Sequence, residues 1–141
     1  MDRAEELRQW IAIAKTDLDS AKCLLDNMYP PPVEKICYDC QQSAEKDLKG
    51  FLFHNNVDFP KIHDLSELVA MCIEIDSEFL KFTQQCRYLN NFGVMPRYPN
   101  ELQLTDDDAK LSIRFAEEIK EFVLSKLPIY TPPPATVAQS E

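Results

Sequence analysis

Leu7, Ile11, Ala14, Leu18, Ala21, Leu25 and Met28 recur in alternating steps of four and three. Side chains three and four apart share one face of an α-helix, so this rhythm predicts a long helix with a single apolar seam. Helices packed nearly parallel or antiparallel satisfy such a seam, as in bundles. The expected helix covers residues 2–28, about 40 Å at 1.5 Å per residue. Tyr29-Pro-Pro-Pro32 ends it, because proline lacks the amide donor and disfavours a helical residue before it.

The same rhythm returns near the other end, at Ala109, Ile113, Ala116, Ile119 or Lys120, and Val123, running on to Leu127. Thr105 with Asp106, Asp107 and Asp108 opens this helix as a hydroxyl cap followed by acids at the positive helix end; Pro128 stops it. Between the two seams, a second helix is expected from Pro32 to about Asn55. Its Cys37, Cys40, Ala44, Leu48, Phe51 and Leu52 form an apolar stripe, leaving Gln42, Glu45, Lys46 and Lys49 on the other side, open to a ligand or to solvent. Asp64 is the expected N-cap of a third helix burying Leu65, Leu68, Val69 and Cys72, with Glu67 placed to reach back toward it. Ser77 or Asp76 opens a fourth carrying Phe79, Phe82, Cys86 and Leu89.

Residues 90–104 have no periodicity, and a loop this long is uncommon in a compact domain unless it is functional or disordered. The fold expected is all-α: an up-and-down antiparallel helical bundle of four to five helices in residues 1–127. A Pro-rich, mobile tail follows in residues 128–141.

The chain has 141 residues, 24 acidic and 15 basic, for a net charge of −9. That excess repels phosphate backbones at long range and argues against non-specific nucleic-acid binding, though salt screening leaves room for a local basic patch. The five cysteines read as free thiols in a reducing cytoplasm, and no apolar run reaches the roughly 20 residues that span a bilayer. Cys37 and Cys40 lack a second ligand pair at zinc spacing, so neither a metal nor a cofactor is expected. There is no glycine-rich phosphate loop, nucleophile elbow or paired-carboxylate signature.

Four local patterns occur in a fixed order: Ala14-Lys-Thr-Asp-Leu18, Gln42-Ser-Ala-Glu-Lys46-Asp-Leu-Lys49, His63-Asp64-Leu65 and Arg87-Tyr88. In that order and spacing the chain resembles the HEPN domain family over nearly its whole length. The resemblance implies a small helical bundle, a homodimer, nucleotide binding, and pairing with a minimal nucleotidyltransferase protein in a toxin–antitoxin-like pair. Many members of the wider superfamily are RNases marked by an arginine four to six residues before a histidine. This chain departs from that signature: no arginine precedes His54 or His63 at that distance, and Lys49 with His54 is the nearest imitation. Lysine offers phosphate a point charge where arginine offers a planar fork.

The function expected is a non-enzymatic nucleotide-binding or interaction module, with Gln42, Lys46, Lys49, His63, Asp64, Arg87, Tyr88 and Arg97 as binding residues. Arg87 and Arg97 each precede a tyrosine, which pairs a charge with a stacking ring. Two alternatives stand beside it: a metal-independent RNase or toxin using His54 or His63, and a purely structural dimerisation domain. Dimerisation is read from the apolar-faced helices and an exposed Trp10-Ile11 pair.

Overall fold

The computed structural model describes residues 1–94 and 103–131. Asp2 opens the first helix, α1 (Arg3–Asn27), its carboxylate accepting a hydrogen bond from the Glu5 amide at 2.7 Å. The proline run separates it from α2 (Val33–His54). Asp64 caps α3 (Leu65–Ile75) by accepting from the Ser66 and Glu67 amides. α4 (Thr83–Asn90) and α5 (Asp106–Ser125) complete the set. At the start of α5 the Asp108 carboxylate accepts from the Thr105 amide at 2.9 Å in a capping box. Five helices and no strand occur among the described residues, so the all-α reading holds.

The expected fourth helix is shorter than the sequence suggests. Asp76 does act as a cap, but Ser77–Phe82 form a 3₁₀ segment, and the α-helix begins only at Thr83. With three residues per turn, a 3₁₀ segment stacks positions i and i+3, and this brings Phe79 and Phe82 onto one buried face.

Side-chain contacts fix the helix directions. Arg3 bonds Phe53, Ser43 bonds Ala14, and Ser20 bonds Asp39, so α1 and α2 run antiparallel. Ser112 meets Cys37 and Lys120 meets Asp47, so α5 runs in the same sense as α2. Lys126 meets Glu78 and Tyr88 meets Asp108, which sets the 3₁₀–α4 stretch antiparallel to α5. Residues 55–64 double back along α2, with Phe59 beside Lys49 and His63 beside Glu45. α3 therefore starts level with Gln41 and runs along α2, reaching Leu48 by Cys72.

The core follows the seams closely. Leu7, Ile11, Ala14, Leu18 and Ala21 of α1 are buried, as are all the apolar positions expected on α3, the 3₁₀–α4 stretch and α5. The seam of α1 fades at its end, where Met28 is 50% exposed. Trp10 and Ile11 are not the exposed pair the sequence suggests. Ile11 is buried, and Trp10 is half-buried with its ring edge-on to Phe59 at 5.6 Å. The returning 55–64 segment covers Trp10, while Ile11 lies against Gly50 of α2. Cys23 is exposed, whereas the other four thiols are buried. Pro128–Tyr130 form a short 3₁₀ turn beyond α5, and residues 132–141 of the expected tail lie outside the described residues. None of the described helices is long and apolar enough to cross a membrane.

Candidate functional site

α2 lies against α1, α3, α4 and α5, which together enclose most of its circumference. This overturns the expectation of an open polar side. Asp39, Gln41, Ser43, Glu45, Asp47 and Lys49 are all buried along with the apolar stripe. Burying a charge without a partner is far more unfavourable than burying an apolar group, so each needs a compensating contact.

Glu45 and Lys49 compensate each other. Glu45 is 1% exposed, and its carboxylate accepts from Lys49 at 3.0 Å and Lys46 at 3.3 Å. Both Glu45 oxygens lie 3.2 Å from Nδ1 of His63. Burial pushes the Glu45 carboxyl pKa up, but the Lys49 hydrogen bond and the charges of Lys46 and Lys49 outweigh it and hold the group below its usual range. An ionised carboxylate only accepts, so Nδ1 of His63 donates to Glu45. Gln42 accepts from Lys46 at 3.0 Å and donates to Gln41, which in turn donates to the His63 carbonyl at 3.1 Å. These amides fix the entry to α3.

Exposure grades outward across this network. The Lys49 side chain is 6% exposed, that of Lys46 is 19%, and that of His63 is 70%. Lys49 is therefore an internal counter-charge to Glu45, lying 5.7 Å from the Phe59 ring centroid. Lys46, Gln42 and His63 form the edge that solvent reaches. Asp17 of α1 lies near Lys46; burial raises its carboxyl pKa, and the Lys46 charge opposes the rise.

The structure brings Gln42, Lys46, Lys49 and His63 together, with Asp64 next in the chain. Asp64 is tied down twice, as the α3 cap and as acceptor from the Asn90 side chain at 3.1 Å. Arg87 is exposed on α4. Tyr88 faces α5, where its hydroxyl donates to Asp108 at 2.7 Å and its ring packs edge-on to Phe92 and Phe115. Burial and the Asp108 hydrogen bond push its pKa well up, as for a structural phenol. His54 ends α2 beside a cavity of about 210 Å³ lined by Arg3, Leu7, Phe53 and Ile129, away from the Glu45 network. Arg97 lies outside the described residues.

The sequence reading misses Gln41, Asp39 and Asp47. Asp39 accepts from Ser20 and Lys35, while Asp47 accepts from Lys120 at 3.1 Å. Residues 7–127 match the HEPN domain family, spanning all five helices except the first turn of α1. The chain belongs to the HEPN domain family. The HEPN fold is also seen in its likeness to the crystal structure of an archaeal HEPN homologue, with a TM-score of 0.67 and 25% identity. That likeness covers 85% of this chain and 96% of the archaeal one. Among curated proteins, none matches with significance. No cluster of three or more metal-ligating side chains occurs among the described residues of this HEPN chain.

Proposed function

We propose that this HEPN protein is a binding and interaction module whose contact edge is formed by Gln42, Lys46 and His63, with an anionic group of a nucleotide as ligand. The observation that carries this reading is the Glu45 network. A buried carboxylate anchors Lys46 and His63 at 3.3 Å and 3.2 Å, so a cation and an imidazole are pre-positioned at the surface. The family resemblance supports a homodimer working with a nucleotidyltransferase protein. Thermal stability against a panel of nucleotides and short RNAs tests the reading. A ligand at 100 times its dissociation constant adds about 2.7 kcal/mol, enough to shift the melting temperature visibly. Lys46→Ala should abolish that shift with little loss of fold, because Lys46 is the more exposed lysine. A shift that persists in Lys46→Ala counts against this edge.

A second reading rests on the Glu45–His63 pair. A ring held by a carboxylate on Nδ1, in a side chain that is 70% exposed, has the arrangement of a general base. It supports metal-independent RNA cleavage. Cleavage that survives chelation and is lost in both His63→Ala and Glu45→Gln would favour it over simple binding.

A further inference from the structure

On α5, Glu118, Glu121 and Phe122 are spaced by three and one, which places them along one side of the helix. That side faces Lys81 and Phe82 at the end of the 3₁₀ segment and Gln85 on α4, leaving an open groove of about 500 Å³. Its floor is aromatic: the Phe82 and Phe122 rings lie 5.1 Å apart in a tilted pair. Its wall carries the exposed carboxylates of Glu118 and Glu121. The Phe122 ring already attracts cations from its own chain. The ammonium of Lys81 sits 4.2 Å from its centroid and that of Lys126 5.1 Å.

These two lysines are held differently. Lys126 is clamped by Asp76 at 2.8 Å and Glu78 at 2.6 Å. Lys81 is exposed, and its contacts in the groove are with the Phe122 and Phe82 rings. An aromatic face flanked by carboxylates is the chemistry that recognises an ammonium or guanidinium group, and the net charge of −9 adds a long-range attraction for a basic partner.

We propose that the Lys81–Phe122 groove binds a basic peptide segment of a partner protein. An arginine or lysine of that segment displaces Lys81 from the Phe122 ring and pairs with Glu118 and Glu121. Lys81 is then an internal stand-in for the partner's cation.

Fluorescence anisotropy with a labelled arginine-rich peptide tests this. The full chain should bind it, and a peptide with glutamate at each arginine should not bind. Glu118→Gln with Glu121→Gln should weaken binding about tenfold, as losing a complementary charge pair does. Asp26→Asn with Glu74→Gln, which removes two exposed carboxylates elsewhere, should leave the affinity within about twofold, as expected for screened distant charges. Lys81→Ala should tighten binding about threefold, the scale of an exposed cation–π contact. Lys61→Ala, an exposed lysine in the 55–64 segment, controls for bulk charge and should not tighten it. Failure of the arginine-rich peptide to bind overturns the proposal. So does an equal loss in the two carboxylate pairs, or a Lys81→Ala variant that binds no better than the wild type.

Discussion

Lys120 of α5 donates to one oxygen of the Asp47 carboxylate on α2 at 3.1 Å, and the other oxygen of Asp47 is buried with no hydrogen-bond partner among the described residues. Burial raises the Asp47 carboxyl pKa from 3.8 to about 7, against the charge and hydrogen bond of Lys120, and the Asp17 carboxylate adds to the rise. The folded chain thus holds this proton more tightly than the unfolded chain. The stabilisation is fully present below pH 3.8, is lost as the pH climbs, and is gone above about 7. Asp47→Asn removes the titration. The variant's stability relative to wild type should rise between pH 4 and pH 8, by at most about 4 kcal/mol. Urea unfolding across that range measures it. A difference that stays flat with pH would show that ionised Asp47 is fully satisfied.

Glu45 titrates in the opposite sense. Its folded pKa lies below 4.5, so its contribution is present above that pH and is lost as the pH falls through the lower folded value. Glu45→Gln strands the buried Lys49 ammonium, and removing one member of such a pair costs roughly 3 kcal/mol at neutral pH. Replacing both, with Glu45→Gln and Lys49→Met, should recover much of that loss because neither site is then left with an unpaired charge. If the double variant is no better than Glu45→Gln, the loss comes from packing.

The seams and caps were legible because they are local. Leu7 to Ala21, Asp64 and Thr105–Asp108 obey helical spacing and capping chemistry that need no knowledge of neighbours. Lys46 and His63 were legible as site residues, but the buried carboxylate that anchors them was not. Glu45 lies on a charged stretch that reads as an outward face. Its burial follows from where the 55–64 segment runs after α2, and that path has no periodic signal. The same tertiary fact covers Trp10. One local clue did exist: Gly50 in the last third of α2 marks a backbone that another helix approaches closely.

The thiols divide sharply. Cys23 is exposed, while burial pushes the Cys37 thiol up to about 11 and the Cys86 thiol up to about 12. Burial raises Cys40 and Cys72 further. Since the thiolate is the reactive form, a thiol-specific reagent at pH 8 should modify Cys23 quickly and the other four only on unfolding. Mass spectrometry of the native and urea-treated chain checks this, and a second fast-reacting cysteine would mean that one of the helix seams opens in solution.

Gly50 sets two effects of similar size against each other. A Cβ built there would lie 2.9 Å from Cδ1 of Ile11 and 3.5 Å from Cβ of Trp10. Alanine gains about 1 kcal/mol over glycine in a helix interior. The close contact is with the tip of a side chain, which can shift by a few tenths of an ångström, but Ile11 is buried and its new position must still fill the seam. Overpacking a core in this way costs about 1 kcal/mol at its mildest. Gly50→Ala should therefore change stability by less than about 1 kcal/mol. Gly50→Leu has no such escape, because its branch must pass Cβ of Trp10 as well as Ile11, and should cost more than about 2 kcal/mol. Chemical denaturation of the two variants decides between them. A Gly50→Leu variant as stable as wild type would mean that α1 can move away from α2 without disturbing the core.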